Sequence, residues 1–238
     1  MVRIGHGAKH FSTEGKYLKS WVYGGLDGIV TTFAVVAGVV GANLSSVIIL
    51  VLGFANLIGD GISMAVGDYL STKSEGEYYQ SEENIEEKEA SKNPGHEEKI
   101  MRDVLEKKGF NKSDARQISF LISKNRKYQV ETMLHDELGI IYENVSPVKN
   151  AVVTFTSFFI FGIIPLFLFA IGTILNLKIP NSFLWASVLS GISIFALGSA
   201  KSKVTNKNWF KSGSEMLLVG SAAAIAAYFV GGLLSKII

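Results

Sequence analysis

VIILVLGFANLIGDGISMAVGD, residues 47–68, is the stretch that decides the fold. A helix needs about 20 mostly apolar residues to cross the hydrocarbon core of a membrane, and this run is long enough. It nevertheless contains Asn56, Asp60 and Asp68 among its apolar residues. The run therefore predicts a transmembrane helix that carries polar groups inside the membrane.

Four further stretches have the same length and apolar character. They are Trp21 to about Ala42, Ala151 to Leu175, Ile179 to Ala200, and about Ser214 to Leu234. The short connections predict antiparallel hairpins, and Pro180 suits the first turn of a helix. The predicted fold class is all-α, a five-helix transmembrane bundle with a helical cytosolic insert between transmembrane helices 2 and 3.

The charged residues are concentrated in one segment of the chain. Between Leu70 and Pro147 lie 16 of the 21 acids and 12 of the 23 bases. We therefore expect a cytosolic N-terminal arm (1–20), two transmembrane helices (21–69), a carboxylate-rich metal-binding insert (70–147) and three more transmembrane helices (148–238). The net charge of +2 is too small to indicate nucleic acid, and the absence of cysteine excludes thiolate ligands.

Lysine and arginine placement predicts the orientation, because these residues are enriched in cytoplasmic loops. The arm and the loop after the fourth helix hold Arg3, Lys9, Lys16, Lys19, Lys201, Lys203, Lys207 and Lys211, whereas the opposite side has only Lys178 and Lys236. The N-terminus and insert are thus expected in the cytosol. The short chain favours a prokaryotic cell membrane, with a vacuolar membrane as the alternative.

The insert is expected to be helical. The second transmembrane helix should continue to about Lys92, where Asn93-Pro94-Gly95 stops it. Further helices are predicted over 96–108, about 115–124 and about 127–143, the second of these capped by Asn111 or Ser113.

Polar side chains inside the first two helices are the first functional signal. Asp27 lies in the first helix, and Asn56, Asp60, Met64 and Asp68 follow at i, i+4 spacing along one side of the second. Charged groups in a membrane are costly and mostly functional. The alternative is that these acids lie near helix ends, solvated or paired, an interpretation we favour for Asp68.

Met64 bears on the choice of metal. A thioether is a soft ligand, whereas Mg²⁺ and Ca²⁺ require oxygen. Carboxylates with a thioether suit Fe²⁺, with Mn²⁺, Co²⁺ and Zn²⁺ as further candidates, unless Met64 is only an apolar filler.

Glutamates of the insert are the second signal. Glu82, Glu86 and Glu89 share a helical face, Glu97 opens the next helix, and Met133 and Glu137 are i, i+4 neighbours. They could converge on a metal, or they could form an ordinary solvated acidic surface. There is no Glu-x-x-His pair of the di-iron type, no H-E-x-x-H, no phosphate-binding loop and no G-x-S-x-G.

Four segments resemble the vacuolar iron transporter family. They are DGIVTTFAVVAG (27–38), GISMAVGDYLSTKSE (61–75), ELG (137–139) and GSEMLLVG (213–220). The resemblance implies a homodimer that exchanges cytosolic Fe²⁺, or in some members Mn²⁺, for protons. It also implies that Asp27 and Met64 line the translocation path, and that the insert residues Glu86, Glu89, Glu97, Met133 and Glu137 gather metal.

The sequence departs from the family pattern at three positions. A second-helix glutamate of plant members falls at Asn56, with Asp60 one turn away as a substitute, and two insert ligands fall at Ile100 and Leu134. We expect a proton-coupled metal exporter rather than an enzyme, with no resident cofactor and with lipid, metal ions and protons as its partners. The alternatives are a membrane-anchored ferroxidase and a metal-sensing protein that uses the acidic insert.

Overall fold

The computed structural model describes residues 15–177, 179–205 and 207–237. Arg3, Lys9 and Lys178, used above for the orientation, lie outside the described residues. The described part forms α-helices and one short 3-10 helix, Gly15–Tyr17. The helices are α1 (Leu18–Gly41), α2 (Ser46–Lys92), α3 (Pro94–Lys107), α4 (Lys112–Ser123), α5 (Arg126–Asp136), α6 (Pro147–Gly162), α7 (Ile164–Ile174), α8 (Ser182–Thr205) and α9 (Trp209–Leu234).

Helices α1, α2, α8 and α9 are each long and apolar enough to span a membrane, and the α6–α7 pair would be a fifth span if counted together. The predicted single helix over Ala151–Leu175 is wrong, because α6 and α7 meet at a 53° bend. Pro165 accounts for the break: it lacks an N–H, and its ring would collide with the carbonyl group of Phe161. The next boundary also differs, because α8 begins at Ser182 and leaves Pro180 ahead of the first turn.

The chain divides into two compact units, one formed by the described residues up to Leu70 and from Val145 onward, the other by Ser71–Asn144. We call them the membrane unit and the insert unit. In the membrane unit, α1 lies at the centre and packs against α6, α8 and α9. Its main core includes Phe33, Val36, Leu57, Phe158 and Leu166, all buried.

Glycines bring α1 and α6 into backbone contact. A Cβ atom on Gly28 would lie 2.3 Å from the carbonyl oxygen of Phe158, and one on Gly24 would lie 2.5 Å from that of Thr154. Gly24 and Gly28 therefore pack against α6, whereas Gly41 lies against Tyr228 of α9. By contrast, a Cβ atom on Gly59 or Gly67 of α2 would meet no atom of another element within 4 Å in the described chain.

The insert unit begins with the last turns of α2, which end at Lys92 just before Pro94 as predicted. Asn111 caps α4 by accepting a hydrogen bond from the backbone N–H of Asp114. The last insert helix ends at Asp136, seven residues earlier than predicted. Gly139, at φ +68°, turns the chain there in a left-handed conformation that the helix period does not reveal. Met101, Leu105, Ala115 and Met133 form the core of this unit.

Candidate metal sites

The polar residues of α2 lie on its half-buried face. Asn56, Asp60, Met64 and Asp68 are all partly buried, and Met64 also packs against the main core of the membrane unit. The opposite face carries exposed apolar side chains, among them Val51, Ile58, Ile62, Val66 and Leu70. The polar stripe therefore faces the protein, whereas the apolar face is free to meet lipid or another chain.

Asp27 of α1 is within electrostatic range of Asp60 of α2. The Asp27 side chain is half-buried, and its carboxylate interacts electrostatically with that of Asp60. Thr31, one turn further on, donates a hydrogen bond from Oγ1 to the Asp27 carbonyl oxygen at 2.7 Å. Two like charges in one weakly solvated region repel, and a divalent cation between them would remove that repulsion.

Asn56 adds an unpaired amide to the same stripe. Its Nδ2 atom is buried and has no hydrogen-bond partner in the described part of the chain. An unpaired polar atom in an apolar environment is unfavourable, so such atoms often mark a place for water or a ligand. The unpaired Nδ2 atom of Asn56 is a hydrogen-bond donor, so a water molecule or another acceptor would satisfy it.

Asp68 belongs to a hydrogen-bond network instead. Its carboxylate accepts a hydrogen bond from Asn150 Nδ2 at 3.1 Å and a short one from Thr154 Oγ1. Ser20 Oγ in turn donates to Asn150 Oδ1 at 2.8 Å. The network ties α2 to α6 and α1, consistent with the paired interpretation favoured for Asp68. Sequence reasoning missed Asn150 and Thr154, although their i, i+4 spacing at the start of an apolar helix was a usable signal.

The insert carboxylates form one electrostatic group. Burial, followed by the charges of Glu97 and Glu137, raises the pKa of Glu86. Burial and then Glu137 likewise raise the pKa of Glu97, and Glu89 adds to this effect. The structure therefore brings together the four glutamates that the sequence singled out in this unit.

Two of the predicted insert residues are buried rather than solvated. Glu97 is 4% exposed, and its Oε2 atom has no partner in the described chain. Met133 is fully buried against Met101 in the core of the unit. For these residues a solvated acidic surface is not what the structure shows. Even so, no three His, Asp or Glu side chains among the described residues are grouped closely enough to hold one metal ion.

Arg126 fixes the position of α5 beside the end of α2. Its guanidinium donates to the carbonyl oxygens of Glu87, at 2.9 Å, and Ala90, and to the hydroxyl of Ser91. A planar arginine fork satisfies several acceptors at once, here the last carbonyls of a long helix. The contact joins α5 to the end of α2, and sequence reasoning missed Arg126.

Long apolar helices with carboxylates on an inward face define the class of this molecule, a multi-pass membrane protein. The sequence profile of the VIT family matches residues 18–232, so the chain belongs to that family. This confirms the resemblance described above.

Relatives span nearly the whole chain. A vacuolar iron transporter of Toxoplasma gondii is 39% identical over 98% of this chain and 79% of its own length. The protein of the same name from Plasmodium falciparum is 31% identical over 97% of this chain and 86% of its own. Vacuolar iron transporter 1 of Arabidopsis thaliana is 29% identical, over 94% and 88% respectively.

Proposed function

We propose that this protein transports Fe²⁺ across a membrane and out of the cytosol. The observation that carries the proposal is that two apolar helices, α1 and α2, each hold a partly buried carboxylate, Asp27 and Asp60, within electrostatic range of the other. A carboxylate pair in such surroundings suits a divalent cation as cargo. The family and the names of the relatives support iron as that cargo.

Each polar residue of the stripe has a role in this proposal. Asp27 and Asp60 offset the charge of the ion, and Met64 favours transition metals over Mg²⁺ and Ca²⁺ because its thioether is a soft ligand. Asn56 supplies a neutral polar group to the ion or its water. Mn²⁺, Co²⁺ and Zn²⁺ are accepted by the same ligand set.

The proposal includes exchange against protons. Carboxylates that bind a cation release any protons they hold, which couples metal entry to proton release. The insert, with Glu86, Glu89, Glu97, Met133 and Glu137, collects cytosolic metal and supplies it to the membrane path. No resident cofactor is needed, and the reaction is transport rather than enzymatic catalysis.

A five-span bundle, with the N-terminus and insert in the cytosol, completes the proposed arrangement. The placement of lysine and arginine supports this orientation, with the α6–α7 pair counted as one bent span. The chain acts as a homodimer, for which the exposed apolar face of α2 offers a surface. The names of the relatives favour a vacuolar membrane, across which the cargo leaves the cytosol.

Reconstitution into liposomes tests the proposal. Anaerobic Fe²⁺ flux, measured with and without a pH gradient, should be fast for the unmodified protein and should fall to near background for Asp27→Ala and Met64→Ala. Met216→Leu, at a buried methionine of α9 outside the stripe, is the matched control and should transport normally.

Normal flux in both variants would overturn the proposed path, and absence of flux in the unmodified protein would overturn transport itself. Oxygen uptake on addition of Fe²⁺, without flux, would instead favour the ferroxidase. Metal binding with neither flux nor oxygen uptake would favour the metal-sensing protein.

A further inference from the structure

Gln129 is a second buried polar residue of the insert unit that lacks a partner. It is 2% exposed, and its amide Nε2 atom has no hydrogen-bond partner among the described residues, as is also true of Glu97 Oε2. A buried unpaired amide destabilises a fold unless something absent from the metal-free chain satisfies it. Neither the helix period nor the family resemblance pointed to this residue.

Gln129 lies on a face of α5 that also carries two charged residues. Glu97 interacts electrostatically with both Arg126 and Glu137, at the beginning of α5 and at its C-cap. Arg126, Gln129, Met133 and Glu137 follow one another at steps of three or four residues, and so share one helical face. Glu97 is therefore within electrostatic range of both ends of the α5 face that carries Gln129 and Met133.

The hydrophobic core of the insert unit also relates Gln129 on α5 to Glu97 on α3. Met133, one turn after Gln129, packs in one cluster with Met101, which lies one turn after Glu97 on α3. The helical faces that carry Glu97 and Gln129 therefore contribute to the same core cluster. Two buried polar atoms of this small unit thus lack partners among the described residues, and a thioether and a carboxylate, those of Met133 and Glu137, share the α5 face with one of them.

We propose that Gln129 is a ligand of the metal bound by the insert, donating its amide oxygen alongside Glu97 and Glu137. The inference rests on the proposed function and extends it to a residue without an assigned role. The two ends of a glutamine amide are interchanged by rotation about χ3, so its oxygen can occupy the place of the unpaired nitrogen.

An uncharged glutamine suits this position better than another carboxylate would. The carboxylates of Glu86, Glu89, Glu97 and Glu137 already repel one another. A further carboxylate would add to that repulsion in the metal-free protein, whereas an amide adds an oxygen ligand without charge. Amide oxygens bind Mn²⁺ and Fe²⁺ in combination with carboxylates, so the site selects a divalent ion of intermediate hardness.

Mn²⁺ binding to the full-length protein in detergent tests this ligand. Free Mn²⁺ is followed by electron paramagnetic resonance, in an Asp27→Ala, Met64→Ala background so that only insert sites are counted. Gln129→Leu, which has a similar volume but no amide, should bind Mn²⁺ about 10-fold more weakly. Its metal-free thermal midpoint should be equal to or above that of the background protein, because a buried unpaired amide has been removed.

Gln117→Leu is the control, since Gln117 is an exposed glutamine of α4, and it should leave affinity unchanged. If the Gln129→Leu variant binds Mn²⁺ as tightly as the background protein, the inference is overturned. If the Gln129→Leu variant does not fold, Gln129→Asn is measured instead, because it shortens the side chain by one methylene and draws the amide oxygen back. This variant should show the same loss of Mn²⁺ affinity, and unchanged affinity would overturn the inference equally.

Binding and flux are measured separately, so the two proposals can fail separately. A background protein that binds no Mn²⁺ at the insert would overturn both this ligand and the collecting role of the insert. Tight binding that depends on Gln129, combined with no Fe²⁺ flux by the unmodified protein, would leave the ligand standing and remove transport.

Discussion

At the scale of single residues, the membrane unit is governed by the cost of placing charge in an apolar environment. Asp27 and Asp60 are partly buried on neighbouring helices and interact electrostatically. An isolated carboxylate there would be unfavourable, and two are more so unless a cation accompanies them. The electrostatic interaction of Asp60 with Asp27 cannot be read from the residues that surround Asp60 in the sequence.

Asp60→Asn should lower Fe²⁺ flux more than tenfold. The substitution removes one of two charges that offset the divalent ion, and losing one partner of a buried charge contact typically costs about 2 kcal/mol or more. Liposome flux assays measure the change. Ser63→Ala, on the exposed face of α2 at nearly the same depth, is the control and should transport normally. An Asp60→Asn protein with undiminished flux would show that Asp27 acts without this partner.

The metal-free insert should become less protected from hydrogen exchange as pH rises. Burial and neighbouring carboxylates raise the pKa of Glu86 and Glu97, so the folded insert retains protons that the unfolded chain has released. The stabilisation is complete below the ordinary glutamate range and is lost as pH rises through the folded pKa. Exchange of α3 and α5 amides in EDTA, corrected for intrinsic rates, measures the trend.

Glu97→Gln provides the control for this trend, because it removes the titration of Glu97 while leaving other groups in place. One such group is Asp136, whose pKa is lowered by hydrogen bonds from Lys108 and His135 and which therefore acts in the opposite direction. The difference between Glu97→Gln and the unmodified protein should grow with pH. A difference independent of pH would contradict the assigned cause.

At the scale of helices, side-chain contacts hold α2 in the membrane unit. Gly53 and Gly61 lie against Leu166 and Phe158, and the most polar of the contacts is the Asp68 network. Thr154, fully buried on α6, donates a hydrogen bond to the carboxylate of Asp68 on α2, so one hydroxyl joins the two helices. The register of α2 against α6 depends on this hydrogen bond.

Thr154→Val should destabilise the membrane unit by about 1.5–3 kcal/mol, the range for a hydrogen bond to a charged group. Thermal unfolding in detergent should therefore show a lower midpoint. Ser187→Ala is the control, because the Ser187 hydroxyl bonds only the Phe183 carbonyl oxygen of its own helix, and it should change the midpoint little. Equal midpoints for Thr154→Val and the unmodified protein would mean that the network does not hold α2.

At the scale of the whole molecule, one face of α2 is left without a partner in the described chain. Gly59 and Gly67 meet no other atom there, and Ile58, Ile62 and Val66 beside them are exposed. Gly59 and Gly67 are two helical turns apart on α2, and small residues on one helical face allow two helices to approach closely in a membrane. We therefore assign this face to the proposed homodimer.

Gly59→Leu should convert dimers to monomers, because a bulky side chain would hold the two copies apart. Mass photometry in detergent measures the oligomeric state, and the thermal midpoint of the monomer should be retained since no atom of the same chain is displaced. Gly28→Ala is the contrasting variant: its Cβ would collide with the Phe158 carbonyl oxygen and should impair folding itself. A Gly59→Leu protein that stays dimeric would place the dimer contact elsewhere.

The sequence alone was sufficient for the helical class, the apolar spans and the candidate polar residues of α1, α2 and the insert. Hydrophobic length and i, i+4 spacing are properties of neighbouring residues, so they can be read without knowing the fold. Pro165 and Gly139 were also visible, but their effects on the third span and on α5 depended on how the surrounding chain accommodates them.

Only the tertiary structure decided which side chains meet across helices. Three of these contacts join residues distant in the chain: the electrostatic interaction of Asp27 with Asp60, the hydrogen bond from Thr154 to Asp68, and the hydrogen bonds from Arg126 to the end of α2. The burial of Gln129 likewise depends on the packing of the insert helices. Such contacts depend on the rotation and register of packed helices, which close packing of side chains fixes and the local helix period does not.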